Sequence, residues 1–187
     1  MNSTSLCISY GDGNYEYILL AYNPTKKFHN AVQEFDDIDL RYIRKDTCPT
    51  GDKSTRKSIM QQVNTTSNIY YIADAIRNIV GCINPDYVVI EAPAFAANGR
   101  IIDLAGLNYA IRLECHKQDI PFYPVSPTTV KAHAVGNGHA KKDVMVNAWL
   151  SLFPKYKPLE GMKIDDLADS YFLCTFDLES VDIEPGE

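Results

Sequence analysis

The chain has 187 residues, 45% hydrophobic and 22% charged, which is the balance of one ordinary globular domain long enough to bury a full core. Its longest apolar runs ("YILLAY", "YVVIEAPAFAA") are too short to cross a bilayer, no basic segment leads into an apolar one at its start, and Cys7, Cys48, Cys82, Cys115 and Cys174 lack C-x-x-C spacing. These features argue against a membrane span, export, a disulfide framework and a zinc site, and for a reducing, cytoplasmic setting. The net charge of −6 speaks at first against a nucleic-acid partner, but residues 160–187 alone contribute −8 and the remaining chain sums to +2.

The chain opens on a predicted hairpin. Asn2 to Ser5 read as a hydroxyl-rich turn, Leu6 to Tyr10 as a strand, Gly11-Asp12-Gly13-Asn14 as the hairpin turn and Tyr15 to Tyr22 as a second strand. Residues 24–66 are mixed in period and rich in polar and turn residues, and read as an insertion with one or two short strands. Within it, residues 40–60 carry six basic and two acidic side chains, a candidate basic surface or a solvated loop. From Asn68, "NIYYIADAIRNIVG" sets Ile69, Ile72, Ala73, Ile76, Ile79 and Val80 on one helical face, with Gly81 as a stop.

"DYVVIEAP" then reads as a short buried strand ending at Pro93. Asn98-Gly99 leads into "RIIDLAGLNYAIRLECHK", a helix with Ile101, Leu104, Ala105, Leu107, Ala110, Ile111 and Cys115 along a broad face, and "IPFYPVSP" is extended again. A crossover helix of this length joins parallel strands. Three further helices are predicted. "SPTTVKAHAV" is capped by Ser126 and stopped by Gly136-Asn137-Gly138; "AKKDVMVNAWLSLF" has Val144, Met145, Ala148, Trp149 and Leu152 inside; "KIDDLADSYFLCTF" has Leu167, Ala168, Tyr171 and Phe172 inside. The sum is an α/β domain over residues 1–176, an antiparallel hairpin plus parallel strands flanked by helices, with an acidic tail over 177–187.

Two acidic features stand out. Glu91 ends an apolar strand, where open α/β sheets bind ligands, and it reads either as a ligand or as a solvated strand-end residue. Asp166 and Asp169 lie three apart on one helical face, about 5–6 Å apart at Cβ, with Asp165 also in reach of Asp169. They are either acids favoured at a helix N-terminus or a pair whose repulsion a cation relieves. Oxygen-rich clusters suit Mg²⁺ or Mn²⁺, and two such ions would stabilise both oxygens of an in-line phosphodiester displacement. "SPTTVKAHAVGNGHAKKDVM" adds Lys131, His139, Lys141 and Lys142 around a tight turn, placed to hold a backbone phosphate. His133 and His139 are not read as metal ligands. G-x-S-x-G and G-x-x-x-x-G-K-[ST] are absent, which removes serine-nucleophile and phosphate-loop chemistry.

In these motifs ("YVVIEAP", the helix after it, "VSPTTVKAHAVGNGHAKKDVM" and "IDDLADSYFL", in that order over roughly residues 69–176) the chain resembles the RuvC-type Holliday junction resolvases of the RNase H-like fold, in a bacteriophage-like version. The resemblance implies a homodimeric, Mg²⁺-dependent endonuclease that resolves four-way or branched DNA in recombination and repair, in the host cytoplasm if phage-encoded. It implies Glu91, Asp166 and Asp169 as metal ligands with Asp165 beside them, and Lys131 and Lys142 near the scissile phosphate. Lys141, His139, Phe95 (an aromatic wedge) and Arg100 are further candidate DNA contacts, and the helix after Glu91 is implied at the dimer interface.

The family begins with a strand ending in a catalytic Asp, and two alignments meet that pattern. In one, "LCISYG" is the first strand and Ser9 takes the Asp position, where a hydroxyl cannot replace a bridging carboxylate. In the other, "MNSTSLCIS" is the turn plus second strand, and the Asp-bearing strand would lie upstream of Met1. The second is favoured because it accounts for the turn-first start, and Asp12 at the hairpin tip is no substitute. Two alternatives accompany the nuclease: a catalytically impaired DNA-binding dimer, and an RNase H-like nuclease with another nucleic-acid substrate.

Overall fold

A computed structural model describes residues 2–47, 55–93, 101–160, 162 and 164–180. Strands β1 (Asn2–Ser9) and β2 (Tyr15–Tyr22) form the expected antiparallel hairpin, with Ser9 opposite Tyr15 and Asn2 opposite Tyr22. Gly11 and Gly13 take φ of 79° and 85°, a left-handed backbone that suits glycine at a tight turn. The strand begins at Asn2, so Asn2–Ser5 is not the turn that its hydroxyls suggest. Full pairing with Leu19–Tyr22 overrides the turn propensity of Ser and Thr.

Helix α1 (Lys26–Val32) is capped by Thr25, whose Oγ1 accepts from the Phe28 N–H, and it buries Phe28 and Val32 one turn apart. It carries the chain to β3 (Ile38–Tyr42), which pairs parallel to β2. Helix α2 (Thr55–Ile83) starts at Thr55, well before the Asn68 that periodicity predicts, because its first turns are polar and show no apolar stripe. Its later turns bury Ala73, Ile76, Ile79 and Val80 as expected. Strand β4 (Val88–Glu91), helix α3 (Ile101–Lys117) and β5 (Phe122–Val125) form the parallel crossover. Helices α4 (Pro127–Val135), α5 (Lys142–Leu152) and α6 (Asp165–Cys174) follow, with a 3-10 turn over Pro154–Leu159.

The strands hydrogen-bond in two sets, β1-β2-β3 and β4-β5. Both sets nevertheless belong to one layer. Tyr17, Leu19, Val89 and Val125 point into a core with α1, α4, α5 and α6, while Ile18, Leu20, Val88, Ile90 and Phe122 point into a second core with α2 and α3. Helix α6 lies over β1 and also touches β4, and no ladder joins β1 to β4 among the described residues.

The first core is aromatic. Trp149 stacks on Tyr156 at 4.7 Å between centroids and donates its Nε1–H to the Tyr17 hydroxyl at 3.0 Å. Three predicted core positions lie outside it: Val144 is 44% exposed, Leu152 57% and Leu104 60%. Val144 lies on the face of α5 away from the buried Trp149, and Leu104 and Leu152 lie in the end turns of their helices.

Candidate active site

The candidate residues come from three elements. Glu91 is the last residue of β4 and is partly exposed at the strand end. The strand end is pinned on both sides: the Ala92 N–H donates to the Val125 carbonyl at 2.7 Å, and the Asn108 Nδ2 of α3 donates to the Glu91 carbonyl at 2.6 Å. Asn108 is 6% exposed, and its Oδ1 has no hydrogen-bond partner among the described residues.

Helix α6 buries Leu167, Ala168, Ser170 and Phe172, which leaves Asp165, Asp166 and Asp169 on its open side at the N-terminal end. Acids in the first turn are favoured there by the exposed N–H groups. Withdrawal from water raises the Asp169 carboxyl from its ordinary value to about 6; the charge of Glu91 adds to this, as do those of Asp165 and Asp166, and Lys142 opposes it. Glu91 is raised as well, by partial burial, against the lowering influence of Lys131 and Lys142. Glu91 and Asp169 therefore feel one another across two elements far apart in sequence.

The lysines arrive by a tight path. Ser126 caps α4, its Oγ accepting from the Thr129 N–H at 3.1 Å, with Pro127 in the first turn, and this sets the helix that carries Lys131. Gly136 ends α4 at φ 72°. At Gly138 a Cβ would stand 2.9 Å from the Thr128 carbonyl oxygen, so only glycine lets the chain pass so close and deliver Lys141 and Lys142 to the start of α5. Lys142 pairs with Asp165, and that hydrogen bond is the main cause of its raised pKa.

Of the predicted site residues, Glu91, Asp165, Asp166, Asp169, Lys131 and Lys142 are thus brought together. Lys141 is the exposed N-cap residue of α5, with no side-chain cap bond. His139 is exposed on the preceding turn, where its N–H donates to the Asn137 Oδ1. The His133 ring packs edge-on against Phe176 at 5.3 Å. Phe95 and Arg100 lie outside the described residues. Among the described residues no three His, Cys, Asp or Glu side chains gather closely enough to hold a metal ion as arranged.

Strand β1 packs along α6. Its Ser5 hydroxyl meets that of Ser170 at 2.9 Å, and Ser9 lies against Cys174 at the far end of α6. Thr4, near the other end of the strand, lines a cleft of about 750 Å³ with Lys142, Asp165 and Asp166. Ser9 is therefore remote from the acidic residues, and β1 runs opposite to β4, which ends among them.

A family model described as "Crossover junction endodeoxyribonuclease RuvC" matches residues 54–169. The chain belongs to the RuvC family. The matched span holds Glu91, Lys131, Lys142, Asp165, Asp166 and Asp169. A Thermus thermophilus RuvC structure matches with a TM-score of 0.53 and 13% identity, over 91% of this chain and 84% of that one. This shows the shared fold, a mixed α/β sheet flanked by helices. A second structure, T. thermophilus RuvC in complex with Holliday junction substrate, has a TM-score of 0.47 and 16% identity over 69% and 72% of the two chains. No curated protein matches the chain. No helix among the described residues is long and apolar enough to cross a membrane.

Asn108 and the cleft wall escaped the sequence. Asn108 left one signal, a polar residue on a helix face otherwise lined by Leu107 and Ile111. The wall residues left none beyond the basic composition of their segment.

Proposed function

We propose that the chain is a structure-selective DNA endonuclease that resolves four-way junctions or related branched DNA by divalent-metal-dependent phosphodiester hydrolysis. The observation that carries this reading is the convergence of Glu91 and Asp169 from a strand end and a helix start, with Lys131 and Lys142 beside them, in a chain of the RuvC family. The donor set fits a hard divalent cation, Mg²⁺ or Mn²⁺. It is all oxygen, and withdrawal from water, with the charge of Glu91 added, raises Asp169 to about 6, a cost that a cation between them would offset. Glu91, Asp166 and Asp169 would hold the ions, two being expected, with Asp165 held beside them by Lys142. When bound, such ions stabilise the attacking and leaving oxygens of the displacement. Lys131 and Lys142 would orient the scissile phosphate by charge, and Lys141 and His139 lie where the flanking backbone would pass. The same reading makes the protein a homodimer through α3, whose Ile102, Leu104, Tyr109 and Leu113 are exposed.

A second reading, a junction-binding protein that cuts poorly, is favoured by two observations. The described carboxylates do not group in threes, and no ladder among the described residues joins β1 to β4. A strand between them, antiparallel to β1 and parallel to β4, would end beside Glu91 and could bring a further carboxylate. One experiment separates the readings. The chain, and the chain extended at its start by an apolar strand ending in Asp, are incubated with labelled four-way junctions, flapped duplexes and RNA–DNA hybrids in Mg²⁺. Nicking of junctions by the unextended chain supports the nuclease, and binding with nicking only by the extended form supports the second reading for the unextended chain. Cutting confined to flaps or hybrids moves the substrate, and failure of both forms to nick anything contradicts the nuclease.

A further inference from the structure

The cleft that reaches Asp165, Asp166 and Lys142 has a far wall, and that wall is basic. Arg44 and Lys45, just after β3, line the cleft, whereas Arg41 within β3 is paired with Asp39. The wall is held in place. The Ile43 N–H donates to the Ala21 carbonyl at 3.1 Å, continuing the pairing of β3 with β2. Three residues on, Asp46 is clasped by α2: its N–H donates to the Asn68 Oδ1 at 2.7 Å, its carbonyl accepts from the Asn68 Nδ2 at 3.0 Å, and its carboxylate accepts from the Tyr71 hydroxyl at 3.1 Å. Arg44 and Lys45 are thereby strung between a strand and a helix, unlike lysines on a free loop.

Their side chains are braced on aromatic rings. The Arg44 guanidinium lies 5.1 Å from the Tyr71 ring centre and the Lys45 ammonium 5.1 Å from that of Tyr22. Arg44 spends one N–H on the Asp46 carboxylate, yet its side chain is 71% exposed and keeps further donors for a second acceptor. No carboxylate among the described residues pairs with Lys45. Two fixed cations thus face a cleft whose other side carries aspartates and Lys142.

We infer that Arg44 and Lys45 form a phosphate-backbone anchor of this protein, holding the nucleic-acid strand that crosses the cleft to the acidic end of α6. This deepens the proposed function and rests on it. An acidic site repels a polyanion, so a strand brought to Asp165 and Asp166 needs cations on both sides of them; Lys142 lies on one and the Arg44–Lys45 wall on the other. Contacts of this kind position a strand without reading its sequence, and their signature is the dependence of affinity on salt, about 0.9 in log–log slope per phosphate neutralised.

The test measures binding of a labelled four-way junction from about 50 to 200 mM salt by the unchanged protein, by Arg44→Gln/Lys45→Gln, by Lys45→Gln alone, and by Arg44→Lys/Lys45→Arg, with EDTA present so that cutting plays no part. The double neutral variant should bind about tenfold more weakly at low salt, with a slope shallower by about 1–2. Lys45→Gln should lose about half of that slope change, and the charge-preserving pair should restore it. Because Arg44 also contacts Asp46 and Tyr71, Lys45→Gln keeps the test sound if the double variant melts early. An unchanged slope in Lys45→Gln, when the unchanged protein binds, overturns the anchor and leaves the proposed function standing. Failure of the unchanged protein to bind any branched or duplex DNA overturns both.

Discussion

At the C-terminal end of α6, Tyr171 meets Tyr15 and Phe153 edge-on at 5.0 and 4.9 Å, and Phe172 is buried. At its N-terminal end, three aspartates and Glu91 lie near two lysines, and Asp169 is raised to about 6. The same ten-residue helix thus serves two purposes. Its dry end contributes apolar burial and ring contacts to the core. Its acidic end gathers like charges that weaken the fold until a cation or proton offsets them. Substitutions at the two ends should therefore move different observables.

The largest effect is expected at the acidic end. In a form that nicks, Asp169→Asn should lower the Mg²⁺-dependent cleavage rate about 10³-fold, several kcal/mol of lost transition-state stabilisation, while junction affinity stays nearly unchanged. Equal loss of binding and cleavage would make Asp169 structural. At the dry end the order reverses. Trp149→Ala removes a fully buried ring, its stack on Tyr156 and its bond to Tyr17, and should cost about 3–5 kcal/mol in urea unfolding.

The pH dependence of stability sharpens the contrast. The Asp169 pKa of about 6 lies above its ordinary 3.8, so the folded chain binds this proton more tightly than the unfolded chain. Its favourable contribution is complete below about pH 4 and is lost as pH rises through about 6. Asp169→Asn should flatten that part of the melting-temperature profile and melt a few degrees higher than the parent at pH 7, with no such gain at pH 4. A variant that melts lower at both pH values would contradict the account.

The smallest effect lies between the ends. The Ser170 hydroxyl donates to the Leu167 carbonyl and accepts from the Ser5 hydroxyl, 2.9 Å away. Ser170→Ala should cost about 1 kcal/mol in unfolding and leave DNA binding alone.

The same contrast governs what the sequence disclosed. The elements from β4 to α6 were legible because their apolar residues recur at strand or helix spacing, and the i, i+3 pair Asp166 and Asp169 needed only that spacing to share a face. The start of α2 was not, since "TRKSIMQQVNTTS" has no apolar stripe to reveal it. Nor was the strand character of Asn2–Ser5, whose hydroxyls favour turns until β2 supplies partners. The short helix α1, hidden in a polar stretch, rests on one cap and the buried pair Phe28 and Val32. The parallel pairing of β2 with β3, the grip of Asn68 on Asp46 and that of Asn108 on Glu91 are contacts made at a distance, and local pattern carries no trace of them.

The most direct test of the central claim, that Glu91 and the acidic end of α6 form a divalent-cation site, is calorimetric titration of the protein with Mn²⁺ beside Glu91→Gln/Asp169→Asn. The account predicts saturable binding by the parent chain and its loss in the variant, while Trp149→Phe retains it. Equal Mn²⁺ binding by parent and variant, or no binding by the parent in the presence of junction DNA, would contradict it.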